Sequence, residues 1–150
     1  MKLIRTLAFA TLLAASANAF AAKTCKVDLT GTDAMQFDKK EIAVAADCTD
    51  VEVTLHHAGK LPAQAMGHNF VLTKTADMAG VAGDGAGAGF ANDHIKQGDA
   101  RVIAHSKIIG GGQTTSVTFP TSKLKKGEAY SFFCSFPGHW SIMKGAFKFG

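Results

Sequence analysis

Cys134, His139 and Met143 bring a thiolate, an imidazole and a thioether within ten residues of one another in FFCSFPGHWSIMKGAF, which runs from Phe132 to Phe147. The stretch opens as an apolar strand, turns at Pro137-Gly138 and re-enters an alternating pattern at Gly145-Ala146-Phe147, so a strand pins each end of the loop. A remote fourth donor, His68, stands in Met66-Gly67-His68-Asn69-Phe70. Two imidazoles, one thiolate and one thioether form the ligand list of a blue-copper electron-transfer site. In that reading Cys134 is the short thiolate ligand, His68 and His139 are the equatorial nitrogens, and Met143 is a distant axial neighbour. Gly67 has no Cβ, so its carbonyl can approach the metal from the opposite side.

The surrounding residues have expected roles of their own. Asn69 is placed to hydrogen-bond toward Ser135 and tie the two ligand segments together, and the N–H of Phe136 is aimed at the sulfur. A copper oxidase or nitrite reductase needs further metal positions open to substrate, held by more histidines than the six present here. A cysteine hydrolase lacks a third member beside Cys134 and His139. The remaining rival is a copper or zinc binding or storage protein, since zinc also accepts this donor set.

These donors need a rigid frame, and the chain spells one in short strands. Cys25–Leu29, Lys40–Val44, Val51–His56, Asn69–Thr73, Arg101–His105, Ser116–Phe119, Glu128–Cys134 and Lys144–Phe149 are strand candidates separated by turn residues. His57–Pro62 reads as loop. Thr75 or Asp77 can cap one short helix reaching about Gly89, although the five glycines from Gly80 to Gly89 each cost about 1 kcal/mol relative to alanine. The expectation is an all-β, Greek-key β-sandwich of seven to eight strands with one short helical insert, forming one domain over residues 22–150.

Residues 1–21 read as a secretory signal peptide: Lys2 and Arg5, an apolar run from Leu7 to Ala15, then small residues, with cleavage after Ala19 or Ala21. The apolar run is too short to span a bilayer, so no membrane anchor is expected. The chain carries 16 Lys+Arg against 12 Asp+Glu, and losing Lys2 and Arg5 with the leader leaves a small positive excess. The lysines are scattered, with no basic stripe interleaved with aromatics, which argues against nucleic acid as a partner. Three cysteines in an exported chain imply one bridge, between Cys25 and Cys48, and one thiol for a metal to protect.

Cys25-Lys26-Val27-Asp28, Met66-Gly67-His68-Asn69, Arg101–His105, Ser116–Phe119, Ser122-Lys123-Leu124 and Phe132–His139 together resemble the azurins, the periplasmic blue-copper proteins of bacteria. The resemblance spans essentially all of residues 22–150. It implies the cupredoxin sandwich, one type 1 copper on His68, Cys134 and His139 with Met143 and the Gly67 carbonyl as weak axial neighbours, and no enzyme activity. It also implies a periplasmic protein that exchanges single electrons with c-type cytochromes and reductases such as nitrite reductase, and nothing in the sequence demands more than a monomer. The docking patch it implies is apolar and surrounds His139: Met35, Leu61, Met66, Phe136, Pro137 and Ile142. Two positions depart from the family. Phe70 stands where several azurins bury a tryptophan, and Trp140, the one tryptophan in the chain, follows His139 where a small residue is common. His57 and His105 match azurin positions, and His57 has two open readings: a group coupled to the copper redox state, or a solvated loop histidine.

Overall fold

The computed structural model describes residues 22–150, so the signal-peptide reading falls outside the described residues. Among the described residues, nine strands form two sheets. β1 (Thr24–Thr32), β2 (Gln36–Phe37), β4 (Asp50–His57) and β7 (Thr114–Pro120) make a four-stranded sheet in the order β2-β1-β4-β7. β3 (Glu41–Val44), β5 (Val71–Lys74), β6 (Val102–His105), β8 (Tyr130–Phe133) and β9 (Lys144–Phe149) make a five-stranded sheet in the order β3-β9-β8-β5-β6. The first and last strands of the chain thus join different sheets. β1 pairs with β4, and β3 with β9, in parallel; the other pairings are antiparallel. This is the β-sandwich expected, its ninth strand being the two-residue β2.

Period-two burial explains why these segments are strands. In β4, Val51, Val53 and Leu55 turn inward while Glu52, Thr54 and His56 face partly outward. The five-stranded sheet buries both faces over β5 and β8. Phe70, Leu72 and Phe132 enter the sandwich core with Leu29, Leu55 and Phe147, whereas Val71 and Phe133 join an outer cluster with Val81, Ala82 and Ile95. That outer cluster is closed by α2 (Met78–Ala88), which follows a 3-10 turn at Thr75–Asp77. A short helix, α1 (Ala63–Met66), is an element the sequence reading did not contain.

The glycines of α2 disfavour a helix by themselves, so packing holds it. Val81, Ala82 and Gly85 are its buried residues, and a Cβ on Gly85 would collide with the His94 carbonyl. Arg101 braces it from outside, its Nη2 donating to Asp84 Oδ2 and Asp99 Oδ2, each at 2.6 Å. The helix ends at Gly89, whose φ of 77° an L side chain would resist.

One boundary differs instructively from the sequence reading. Gly31-Thr32-Asp33 reads as a break, yet β1 runs through to Thr32. Gly31 pairs with both Phe37 and His57, and its missing side chain makes room for the site below.

Cys25 and Cys48 form a disulfide, with Cα atoms 5.8 Å apart, that ties β1 to the loop before β4. Reducing it should lower stability by about 3 kcal/mol, read as an earlier urea midpoint with an unchanged visible spectrum.

Candidate metal centre

Four backbone segments converge at one end of the sandwich. His68 follows α1 and Gly67, and is fixed by a two-residue bridge to Ile109, with N···O distances of 3.0 and 2.9 Å. Cys134 ends β8. His139 opens a single 3-10 turn (His139–Ser141), and Met143 precedes β9. The loop from Cys134 to Met143 is closed on itself: Cys134 N–H donates to Met143 O (3.0 Å), and Met143 N–H donates to His139 O (2.7 Å). Gly138, at φ 83°, supplies the left-handed turn that carries His139 back over the sulfur.

The donor atoms of His68, Cys134 and His139 all lie within 4.8 Å of one another, and all three residues are buried. Cys134 Sγ stands 3.9 Å from His68 Nδ1 and 3.6 Å from His139 Nδ1. Metal–sulfur and metal–nitrogen bonds of about 2.3 and 2.0 Å, spread at about 120° in a plane, separate sulfur from nitrogen by about 3.7 Å. The donor set therefore fits one ion in a trigonal arrangement. Gly67 O faces the same cluster, 3.7 Å from the sulfur. Met143 is fully buried; a Cβ on Gly31 would lie 2.9 Å from both Met143 Cε and His68 Cδ2. Gly31 is thus the floor on which the His68 ring and the thioether meet, a role that no spacing in the sequence announces.

Both nitrogens of His68 face backbone carbonyls, Nε2 at 2.9 Å from Thr32 O and Nδ1 at 2.9 Å from Gly67 O, so the ring is held at both ends, and an ion taken by Nδ1 would leave the proton on Nε2 toward Thr32. Burial lowers the pKa of His68, and it pushes that of His139 down to about 4, with the neighbouring imidazoles adding to the effect. Both rings are therefore neutral donors at neutral pH. Burial pushes the Cys134 thiol up to about 12, against the backbone N–H groups of Asn69 and Phe136, which favour its charged form. A cation in the site would tip that balance toward thiolate.

Asn69 ties the segments together. Its Oδ1 accepts from Ser135 N–H (2.9 Å), and its Nδ2 donates to Ser135 Oγ (2.8 Å) and to Asp93 O (3.0 Å). His57 corrects the reading of a solvated loop histidine: it is the buried last residue of β4 and stacks on His68 at 4.3 Å between centroids, 9° from parallel. Its Nδ1 accepts from Gly59 N–H and its Nε2 donates to Met66 O, so both nitrogens are used and neither is free for a metal. His57→Ala should keep the visible spectrum of the copper-loaded protein and lower its melting temperature through the cavity left. Loss of colour would mean that the stacked ring is needed at the metal.

Trp140 packs with Met78 and Val102 against the outer cluster that α2 closes, with Lys144 Nζ 6.0 Å from its ring centroid. His105 is exposed at the end of β6, away from the donor cluster. His139 is 4% exposed, and of the six residues of the expected docking patch Leu61 and Ile142 are 42% and 51% exposed. Pro137 is also exposed, whereas Met35, Met66 and Phe136 are half-buried. The Phe136 ring lies 4.7 Å from that of His139.

A nine-strand sandwich holding a buried His-Cys-His cluster beside a thioether defines a blue-copper protein, and the chain belongs to the copper-binding plastocyanin/azurin family, whose model matches residues 23–150. Within that family the likeness is to azurins. Azurin-1 of Alcaligenes xylosoxydans xylosoxydans is 59% identical over 83% of this chain and 96% of its own length. Azurin of Bordetella pertussis is 55% identical over 91% of each. Among solved structures, azurin iso-2 of the methylotroph Methylomonas sp. strain J superposes with a TM-score of 0.82 at 47% identity, covering 84% of this chain and 98% of that one. The protein is accordingly a blue-copper electron carrier, and its cofactor is a single type 1 copper.

Proposed function

We propose that the protein, after removal of residues 1–21, acts as a monomer in the periplasm and carries single electrons between c-type cytochromes and a terminal reductase such as nitrite reductase. It has no catalytic reaction of its own. His68, Cys134 and His139 would hold the metal, with the Met143 thioether and the Gly67 carbonyl as weaker donors beside it. Copper, when bound there, supplies reversible one-electron exchange between Cu(I) and Cu(II).

The single observation that carries this reading is a donor set buried in a hydrogen-bonded frame, with one imidazole, His139, 4% exposed and in contact with the half-buried Phe136 ring. The Thr32 carbonyl orients His68, and the Asn69–Ser135 pair locks the segment of Cys134 to that of His68. The turn at Gly138 fixes His139. Residues held this way need little rearrangement when the charge at the site changes by one, which suits electron transfer. Met35, Leu61, Met66, Phe136, Pro137 and Ile142 provide the docking face, and an apolar face of that kind suits the small interfaces of transient redox encounters.

The test is copper content and voltammetry of the mature protein, followed by stopped-flow mixing with a reduced c-type cytochrome. One copper per chain, a reversible one-electron wave and rapid cytochrome oxidation are expected. Zinc held in preference to copper, or copper held without a redox wave, would favour the binding or storage reading instead.

A further inference from the structure

Among the described residues, three large hydrophobic side chains are strongly exposed: Leu61, Ile142 and Phe90. The first two are among the six residues of the docking face proposed above; Phe90, 39% exposed, is not. An isolated surface phenylalanine is ordinary. This one is not isolated, because it ends a row of rings that starts at His139. Phe136 lies 4.7 Å from His139, His94 lies 5.4 Å from Phe136 at 74°, and Phe90 lies 6.3 Å from His94 at 78°.

The loop that presents Phe90 is held from several sides. Gly89 O accepts from Asn92 and His94 N–H, and Phe90 O accepts from Asp93 N–H. Asp93 O receives Asn69 Nδ2 and Ser135 Oγ, which joins the loop to the segments of His68 and Cys134. Ile95 anchors its far side in the outer cluster, and Gly85 of α2 rests on the His94 carbonyl. Asp93 and His94 both take left-handed backbone conformations, at φ 55° and 49°, which cost energy in residues other than glycine. His94 is 8% exposed, and its Nδ1 is buried with no hydrogen-bond partner. An imidazole kept in that position for its contacts with two phenylalanines acts as an aromatic spacer rather than as a polar group.

We propose that Phe90, carried on the His94 ring, is a second anchor of the docking face, so that the redox partner seats across Phe136 from Ile142 to Phe90. The partner it fits is a redox protein whose exposed cofactor edge is framed by an apolar rim. A rigid aromatic side chain loses little entropy on contact and suits the centre of a small interface. This rests on the docking face described under Proposed function and extends it.

The experiment compares copper-loaded wild type, Phe90→Ser and Ile142→Ser in stopped-flow oxidation of a reduced bacterial c-type cytochrome. The visible spectrum and reduction potential of each variant serve as controls on the site. Alongside, amide chemical shifts of the unmutated Cu(I) protein are followed as the same cytochrome is added. Both variants should slow the second-order rate by about fivefold or more, with shifts at residues 89–95 as well as 136–142. If Ile142→Ser slows the reaction while Phe90→Ser does not, and residues 89–95 stay unshifted, the second anchor is overturned and the docking face stands. If neither variant slows it and neither segment shifts, the docking face itself is wrong and the second anchor falls with it. Should Phe90→Ser disturb the spectrum, the shifts of the unmutated protein decide.

Discussion

Cys134→Ser should abolish the intense visible absorption of the copper-loaded protein. The reason lies in the donor, since charge transfer from a thiolate to Cu(II) gives this site class its colour, and a serine hydroxyl has no comparable orbital to offer. The substitution is also nearly isosteric, in a position with no exposure and with the N–H groups of Asn69 and Phe136 facing the side-chain atom. The fold should therefore survive, and a variant that keeps its melting temperature without copper while losing its colour with copper separates ligation from folding. Copper retained by His68 and His139 alone would give weak bands and an altered potential. A variant that stays intensely blue would remove Cys134 from the site and leave the proposed ligand set without its central member.

Phe132→Ala should lower stability by about 3–5 kcal/mol, the range for deleting a buried aromatic ring. Phe132 is fully buried, with Phe37 and Phe70 at 5.6 and 6.0 Å between ring centroids. Its ring also lies over Gly145, where a Cβ would collide with Phe132 Cζ, so the two sheet positions fit only as a pair. Because β8 and β9 pair at Phe132 and Gly145, collapse into the cavity would have to bend the strands that carry Cys134 and Met143. A loss that large consumes much of the 5–15 kcal/mol typical of a domain. Urea titrations of the metal-free protein measure it directly. A loss under about 1 kcal/mol would show that the core can refill from its neighbours.

The sequence by itself determined the strands and the donor types. Alternating Val51, Val53 and Leu55 can bury a face only as a strand, and turn residues stand between such runs, so a β-sandwich was legible residue by residue. Cys134, His139 and Met143 were legible because one loop carries them all, and a turn brings residues five and nine apart together whatever else the chain does. The Cys25–Cys48 bridge followed from an odd count of cysteines together with the place of Cys134 inside the ligand motif.

Tertiary structure decided what depends on contacts between distant segments. A glycine-rich run gave little reason for α2, which exists because Val81 and Ala82 meet Val71 and Phe133 across the sheet. Gly31 reads as a strand break until His68 and Met143 are packed against it. His57 looked like the start of a loop, and its burial against His68 follows from β1, β4 and α1 closing around it. Trp140, adjacent to His139 in the same 3-10 turn, points about 120° away from it around the turn axis and packs on the outer cluster instead. Local pattern records which face a residue prefers, and only the packed fold records what it meets there.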